Sequence, residues 1–261
     1  MCKKLKDNKK YFILDMDGTF YLGNQLLEGS LEFLEKVKEH GKYFLFYTNN
    51  SSKNQDVYLQ KLAKMGCNMT KSQIITSGMV TAYHLKKRWA HPKVYLLGTP
   101  LLEEDFQDSG ILLTDKDPDA VVAGFDTTLT YEKLSKACAL IRNGVPFLAT
   151  HPDNNCPMED GFIPDCGAIC AFITQSTGIL PKYFGKPYKE TMDYILENLD
   201  CTKEEVVFVG DRLYTDIAIG AKNGATTVLV LTGETKLSDV DSSDVKPDII
   251  VNRLVDLADL F

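Results

Sequence analysis

The stretch that decides the fold is YFILDMDGTF, residues 11–20, in which a short apolar run ends in two closely spaced acids. Residues 11–14 have the composition of a buried strand, and Asp15 and Asp17 follow with a single residue between them. Each carboxylate raises the free energy of ionising the other, so the pair needs a compensating positive charge. The stretch therefore predicts a strand of a buried sheet with a functional site at its carboxyl end.

Apolar strands and amphipathic helices alternate along nearly the whole chain, a pattern typical of an α/β protein with a mainly parallel sheet. The strands predicted in the first and last parts of the chain are residues 11–15, 43–48, 206–209, 226–231 and 248–251. The helices predicted there are residues 30–39, 53–65, 188–198, 214–223 and 253–260. Gly41 and Gly66 are predicted to end the first two of these helices.

The middle of the chain repeats this alternation by itself. Residues 94–99, 120–125 and 146–150 are predicted strands, and residues 131–144 form a predicted helix between the last two. The segment lies between two stretches that resemble the halves of one sheet, so we interpret it as an inserted domain and not as the second of a tandem pair. We expect a core made of residues 1–79 and 181–261, with residues 80–180 as the insertion.

The composition excludes several classes of protein. The chain has 261 residues, a net charge of −7 and 25% charged residues, a balance that argues against binding to a nucleic-acid polymer or an acidic membrane. No apolar run approaches the roughly 18 residues of a membrane helix, and the basic start MCKKLKDNKK is followed by too short an apolar stretch for a secretory signal. Seven cysteines without Cys-x-x-Cys spacing predict free thiols and a cytoplasmic protein.

Polar segments fall at four predicted strand ends, which is where open parallel sheets bind their ligands. The segments are residues 15–19 (DMDGT), 48–51 (TNNS), 185–187 (GKP) and 210–216 (GDRLYTD). Each of them alone has an ordinary structural explanation, as a turn or as a helix cap. Their joint occurrence favours a functional site that gathers acids, a hydroxyl group and a lysine at one rim of the sheet.

The residue types at this rim fit phosphoryl transfer through an aspartyl phosphate. A carboxylate approaches a phosphate dianion only if a cation offsets the repulsion, and Mg²⁺ is a hard ion that bridges carboxylate and phosphate oxygens. Asp15 and Asp211 are predicted to bind Mg²⁺ through their side chains, and Asp17 through its backbone carbonyl. The side chain of Asp17 then serves as general acid and base, while Thr48 and Lys186 hold the phosphoryl oxygens.

These motifs, in this order, resemble those of the haloacid dehalogenase superfamily and more narrowly those of its NagD-like phosphatases. The matching segments are LDMDGTFYLGN, FYTNNSS, ITSG, GKP and GDRLYTDIAIGAKNGATTVLVLTG. In the middle of the chain AVVAGFDTTLTYEKL, FLATHPDNNCP and PDCGAICAFI resemble the type-two (C2) cap of that group. The resemblance implies a doubly wound, Rossmann-like core with an inserted α/β cap, and Mg²⁺-dependent hydrolysis of small phosphomonoesters.

The resemblance also implies roles for individual residues. Carried over by position, Asp15 is the nucleophile, Asp17 the acid and base, and Asp211 the third metal ligand. Thr48 and Lys186 bind the phosphate.

Three further roles rest on the resemblance alone. Asn49 joins Thr48 at the phosphate, Arg212 contacts the substrate, and Asp216 orients the metal site or Lys186 from behind the ligands.

Two departures from the family pattern fall in the middle segment. Relatives often read Thr-Asn-Pro-Asp where this chain has Thr150-His151-Pro152-Asp153, and many carry a glycine where it has Cys166. Both positions belong to the part of the family fold that reaches over the active site. The expected partner is therefore a small phosphorylated metabolite, with the choice between nucleoside monophosphates and sugar or polyol phosphates left open.

Two other functions stay open at this point. A phosphotransferase or phosphomutase on the same core shares the first half of the reaction, although mutases more often carry their cap just after the first strand. A non-catalytic phosphoaspartate signalling module also uses an acidic site, a threonine and a lysine, but such modules are shorter and lack the insertion. The sequence leaves open whether the chain forms a homo-oligomer.

Overall fold

The computed structural model describes residues 5–158 and 161–261. The strands are β1 (Tyr11–Leu14), β2 (Tyr21–Leu22), β3 (Gln25–Leu26), β4 (Tyr43–Thr48), β5 (Ile74–Thr76), β6 (Lys93–Leu97), β7 (Leu112–Leu113), β8 (Ala120–Ala123), β9 (Phe147–Ala149), β10 (Asn155–Met158), β11 (Gly161–Pro164), β12 (Lys182–Tyr183), β13 (Val206–Gly210), β14 (Thr226–Val230) and β15 (Ile249–Val251). The α-helices are α1 (Ser30–Glu39), α2 (Gln55–Lys64), α3 (Ser77–Arg88), α4 (Pro100–Asp108), α5 (Tyr131–Arg142), α6 (Cys166–Thr177), α7 (Lys189–Leu199), α8 (Ala218–Asn223) and α9 (Leu237–Ser242). This alternation confirms the predicted α/β class.

The chain divides into two compact units. The first contains the described residues up to Thr48, together with Tyr58–Ile75 and Met192–Phe261. The second contains Asn49–Val57 and Thr76–Thr191. The boundaries expected from the sequence for a core and an inserted domain stay a prediction.

The first unit is built on a six-stranded sheet in the order β15-β14-β13-β1-β4-β5. Strand β1 lies between β4 and β13 and pairs with both in parallel, so that Leu14 lies beside Phe46 on one side and Val209 on the other. The apolar runs that predict these strands are nearly fully buried, as expected for a parallel sheet covered on both faces. Residues that follow the three strands are therefore delivered to one edge of the sheet.

The turn after β1 is anchored in the core of the first unit. Met16 and Phe20 are buried, and the rings of Phe20 and Phe46 pack edge to face with their centroids 4.6 Å apart. The carbonyl of Met16 accepts the N–H groups of Phe20 and Tyr21, and Gly18 adopts a φ of 86° that favours glycine. Packing and backbone hydrogen bonds thus hold in place the turn that carries the paired acids.

The second unit has a parallel five-stranded sheet in the order β12-β9-β8-β6-β7. Phe106 of α4 is fully buried in a cluster that includes residues of α3, and a second cluster joins residues of α5 and α6. Strands β10 and β11 form a separate antiparallel hairpin.

The structure corrects the helix type that the sequence predicts for the last residues of the chain. Residues 253–260 are predicted as an α-helix, but Leu254–Leu260 is a 3₁₀ helix whose buried side chains are Leu254, Leu257 and Leu260. A spacing of three residues matches the three-residue turn of that helix. The predicted helix over 214–223 likewise begins with a π-helical turn, Leu213–Ile217, before α8 continues it.

Smaller predictions are also borne out. Gly41 and Gly66 follow α1 and α2 with φ angles of 65° and 83°, as expected of residues that end helices. The six cysteines of the described part are free thiols, and Cys2 lies outside the described residues.

Within residues 5–158 and 161–261, no helix is long and apolar enough to cross a bilayer.

Candidate active site

Three carboxylates meet at the carboxyl ends of β1 and β13. Asp15 follows β1 directly, Asp211 follows β13, and Asp216 lies in the π-helical turn next along the chain. One ligand oxygen of each carboxylate lies within 4.8 Å of the others. Asp211 and Asp216 are each 2% exposed, whereas Asp15 is only half-buried. The sequence predicts Asp15 and Asp211 as metal ligands with Asp216 behind them, and the structure brings all three together.

The Asp211 carboxylate is fixed by backbone that approaches it closely. Its Oδ2 accepts the N–H of Glu234 over 2.7 Å, and the hydroxyl of Thr19 donates to Oδ1 over 3.4 Å. A Cβ atom at Gly18 would lie 2.6 Å from Oδ2, and one at Gly233 would lie 2.0 Å from it. The backbone at both glycines therefore approaches the Asp211 carboxylate too closely to leave space for a side chain.

The electrostatics of this cluster suit a bound cation. Burial, together with the neighbouring Asp216 carboxylate, raises the pKa of the Asp211 carboxyl to about 6, although the Glu234 N–H and Arg212 oppose the shift. Carboxylate oxygens are the donors that hard divalent ions such as Mg²⁺ prefer. Asp15, Asp211 and Asp216 are thus a donor set that fits a divalent metal ion.

Arg212 lies at the rim of the acid cluster and is held there by Glu234. Its Nε lies 3.0 Å from Oε2 of Glu234, and the hydroxyl of Tyr214 donates to the same oxygen over 3.2 Å. Burial lowers the pKa of the Arg212 guanidinium, but Asp15, followed by other neighbouring groups, outweighs it and raises that pKa above its ordinary value. The guanidinium is therefore a fixed positive charge near Asp15.

Sequence reasoning missed the segment after β14. The hydroxyl of Thr232 donates to the carbonyl of Gly18 over 2.7 Å, and Glu234 supplies the contacts described above. The sequence contains an indication of this role, because residues 232–235 (TGET) are another polar segment that follows a buried strand. Since ligands collect at the carboxyl ends of parallel strands, such a segment is a candidate of the same kind as the four that were identified.

Asp17 and Thr48 lie where the sequence predicts them on their own elements. The backbone of Asp17 forms a bridge with Tyr21, and its side chain is half-buried. Thr48 ends β4, two residues beyond the Leu14–Phe46 pair, and is 9% exposed. The catalytic role of Asp17 and the phosphate-binding role of Thr48 stay predictions.

In the second unit, the side chain of Asn49 is paired with the backbone of Lys186. Oδ1 of Asn49 accepts the N–H of Lys186 over 2.8 Å, and Nδ2 donates to the Lys186 carbonyl over 3.0 Å. Nδ2 also lies 3.2 and 3.3 Å from the two carboxylate oxygens of Asp153. The Asn49 amide thus binds protein groups, and its predicted contact with phosphate stays a prediction. So does the convergence of Lys186 with the acid cluster.

A second group of acids and a histidine also lies in this unit. Ligand atoms of His151, Asp153 and Asp165 lie within 4.8 Å of one another, and all three residues are buried. Nε2 of His151 is 2.9 Å from Oδ1 of Asp165, which also accepts the N–H of Cys166 and so caps α6. Burial opposes the charged imidazole, but the Asp165 carboxylate and other groups outweigh it and raise the pKa of His151 to about 9. These are the contacts of a buried ion pair.

Two family models match the chain. One, described as haloacid dehalogenase-like hydrolase, matches residues 12–112, and another, described as HAD-hydrolase-like, matches residues 183–257. The acid sugar phosphatase of Staphylococcus aureus is 36% identical over 239 residues, which cover 91% of this chain and 92% of that protein. The 5'-nucleotidase YutF of Bacillus subtilis is 34% identical over 247 residues, which cover 95% and 96% of the two chains.

Solved structures resemble the chain over nearly its full length. A 4-nitrophenylphosphatase from Thermotoga maritima superposes with a TM-score of 0.94 at 48% identity and covers 97% of both chains. A glycerol phosphate phosphatase from Mycobacterium tuberculosis, solved in complex with magnesium, superposes with a TM-score of 0.91 at 29% identity. That match covers 98% of this chain and 78% of the other.

Proposed function

The chain belongs to the haloacid dehalogenase-like hydrolase family, and we propose that it hydrolyses small phosphomonoesters with Mg²⁺ through an aspartyl phosphate on Asp15. Its relatives are phosphatases, and the chain is a phosphoric monoester hydrolase. The observation that carries the proposed mechanism is the convergence of the Asp15, Asp211 and Asp216 carboxylates. Because Asp15 is the least buried of the three, its carboxylate is the one best placed to attack a substrate.

The proposed ligands of Mg²⁺ are the side chains of Asp15 and Asp211 and the backbone carbonyl of Asp17. The ion supplies positive charge that offsets the repulsion between a carboxylate and a phosphate dianion. Asp216 supports the same site through its position beside Asp211, and its negative charge contributes to the raised pKa of Asp211. The magnesium bound to the mycobacterial relative supports the choice of ion.

The proposed reaction has two displacement steps at phosphorus. In the first, an Asp15 oxygen bonds to phosphorus, the bond to the ester oxygen breaks, and Asp17 gives its proton to the departing alcohol. In the second, water bonds to phosphorus, Asp17 accepts its proton, and the bond to Asp15 breaks to release inorganic phosphate. Thr48 and Lys186 hold the phosphoryl oxygens during both steps.

The proposed substrates are small sugar or polyol phosphates and nucleoside monophosphates. The names of the relatives support this range, since they include an acid sugar phosphatase, a 5'-nucleotidase and a glycerol phosphate phosphatase. The three names differ in the substrate that they give. The proposal therefore extends to the class of small phosphomonoesters and to no single member.

A panel of phosphomonoesters tests the proposed function. We expect Mg²⁺-dependent release of inorganic phosphate from p-nitrophenyl phosphate and from some sugar, polyol or nucleoside phosphates. A chelator should abolish the release, magnesium in excess should restore it, and calcium should not, because its looser coordination misplaces the nucleophile. Undiminished turnover in chelator would contradict the role of the metal. Transfer of the phosphoryl group to an added alcohol or sugar in preference to water would indicate a transferase.

A further inference from the structure

We propose that His151 is a positioning residue that fixes Lys186 through the backbone and side chain of Asn49. The inference rests on the proposed function of Lys186 as a ligand of the phosphate. It concerns contacts inside the second unit only, and each link joins groups that are buried.

The link to Lys186 is the reciprocal pair of hydrogen bonds from the Asn49 amide. Because Oδ1 accepts the Lys186 N–H while Nδ2 donates to the Lys186 carbonyl, the amide fixes both polar groups of one residue's backbone. Gly185 makes the approach possible, since a Cβ atom there would lie 2.9 Å from Oδ1 of Asn49, and its φ of 72° also favours glycine. The position of the Lys186 Cα atom, and hence the reach of its ammonium group, follows the position of Asn49.

Asn49 is itself held at two further points. One proton of its amide points to the Asp153 carboxylate, which is 8% exposed, while the other is used by Lys186. The hydroxyl of Ser77 at the start of α3 donates a hydrogen bond to the Asn49 backbone carbonyl. With these contacts the residue that follows Thr48 in the chain is fixed at both its side chain and its backbone.

The imidazole ring of His151 contacts the hydroxyl of Ser77. Nδ1 of the ring is 3.3 Å from the Ser77 hydroxyl and 2.9 Å from the Thr150 hydroxyl, and Nε2 is 2.9 Å from Oδ1 of Asp165. Since the Ser77 proton is donated to the Asn49 carbonyl, a hydrogen bond between Ser77 and the ring requires Nδ1–H as the donor, and the Ser77 and Thr150 oxygens share that proton. A ring that is protonated on both nitrogens donates in both directions, which gives every hydrogen bond from Asp165 to Asn49 a consistent polarity.

Because charged groups surround the imidazole of His151, the hydrogen bonds from Asp165 to Asn49 depend on whether the imidazole is protonated. The titratable groups that face His151 are Asp165 and Cys166 at the start of α6 and Asp153 in the loop after β9. Cys166 is in turn hydrogen-bonded to the thiol of Cys170. Loss of the proton would leave two buried carboxylates with less compensation and would turn Nδ1 from a donor into an acceptor. The Ser77 and Thr150 hydroxyls would then both face an acceptor nitrogen, the Ser77 proton would be divided between that nitrogen and the Asn49 carbonyl, and the hold on Lys186 would loosen.

NMR spectroscopy of the whole, chelator-treated protein tests the coupling without reference to activity. We expect the imidazole of His151 and the backbone amide of Lys186 to titrate with one midpoint on the alkaline side of neutrality. In the variant His151→Asn, which keeps a side-chain donor but does not titrate, the Lys186 amide should lose that pH dependence. The exposed His91 of the same unit gives the control His91→Asn, which should leave it unchanged. A Lys186 amide that does not follow His151 in the unmodified protein would overturn the inference.

Steady-state kinetics supply a readout that a purely structural histidine would not move. We expect His151→Leu to lower kcat/KM about tenfold to hundredfold, the scale of a small misplacement at a reacting site. His151→Asn should retain most of kcat/KM near neutral pH and lose the alkaline decline that passes through the His151 titration. A loss of thermal stability in both variants with an unchanged pH profile would assign His151 a structural role and overturn the inference.

Lys186→Met separates this inference from the proposed function. If that variant keeps full turnover while the NMR coupling is present, the role of Lys186 at the phosphate fails and the positioning contacts stand. If it loses turnover while the Lys186 amide ignores His151, the proposed function stands and the positioning inference fails.

Discussion

The backbone N–H of Glu234 donates to Oδ2 of Asp211 over 2.7 Å, and this contact fixes a buried acid of the site. The preceding residue is Gly233, where a Cβ atom would lie 2.0 Å from the same oxygen. The φ angle of Gly233 is not in the left-handed region, so its requirement for glycine is one of space alone. The geometry of Asp211 is therefore set by backbone that follows β14.

The first prediction concerns this close approach. We expect Gly233→Ala to displace the Asp211 carboxylate and to lower turnover of p-nitrophenyl phosphate by about tenfold or more. The Mg²⁺ concentration needed for half of the maximal rate should rise as well, because Asp211 is a proposed ligand. Titration of the rate with Mg²⁺ measures both effects.

The matched control is Gly66→Ala. Nothing lies within 4 Å of a Cβ atom at Gly66, but its φ of 83° costs an L residue about 1 to 2 kcal/mol. This variant should unfold more easily and keep its turnover. Equal losses of turnover in the two variants would show that Gly233 acts through general stability and not through Asp211.

The second prediction concerns the nucleophile. We expect Asp15→Asn to lower turnover by about a thousandfold or more while the far-ultraviolet circular dichroism stays unchanged, because an amide oxygen does not form the phosphoryl intermediate. The exposed Asp244 of the same unit provides the control Asp244→Asn, which should keep the full rate. A rate near that of the unmodified protein in Asp15→Asn would remove Asp15 from its proposed role.

The third prediction concerns the fixed charge of Arg212. Glu234→Gln keeps the backbone N–H on Asp211 and removes the carboxylate that lies 3.0 Å from the Arg212 Nε. If Arg212 contacts substrate, the looser guanidinium should raise KM by about threefold to tenfold and leave kcat within about twofold, since ground-state and transition-state binding suffer alike.

Tyr214→Phe is the control for this change. It removes only the hydroxyl that donates to the same Glu234 oxygen, and the tyrosine is largely exposed, so we expect a smaller rise in KM. An unchanged KM in Glu234→Gln would speak against substrate contact by Arg212.

The fourth prediction concerns stability and pH. The pKa of His151 is about 9 in the folded protein, against about 6.5 for an unfolded histidine. The folded state therefore holds its proton more tightly, so the stabilisation is fully present below about pH 6.5 and is lost as the pH rises through about 9. The complete effect is of the order of 3 kcal/mol.

Urea unfolding at several pH values in chelator measures this dependence. The free energy of unfolding should fall with rising pH in the unmodified protein and stay flatter in His151→Asn, which has no group to titrate at that position. Parallel profiles for the two proteins would show that the buried ion pair of His151 and Asp165 does not form.

The predicted strands agree with the structure because their environment leaves a clear pattern. The runs YFIL, YFLFYT and VVFV form β1, β4 and most of β13, since a parallel strand covered on both faces needs apolar side chains at every position. Helix α3 leaves no comparable pattern and was not predicted, because it buries the polar residues Ser77 and Thr81. The hairpin of β10 and β11 also escaped prediction, since it exposes Met158 and Phe162 instead of alternating apolar and polar faces.

What the sequence determined by itself is the set of acids at one edge of the first unit's sheet. Asp15 and Asp211 follow apolar runs, and parallel strands deliver the residues after them to the same edge whatever the details of packing. Only the tertiary structure decided which groups hold the functional side chains. The Asn49 amide meets the backbone of Lys186 across 137 positions in the chain, and the N–H of Glu234 meets Asp211 across 23. Such contacts join a side chain to a backbone N–H group, which every residue except proline possesses, so the residue types carry almost no record of them.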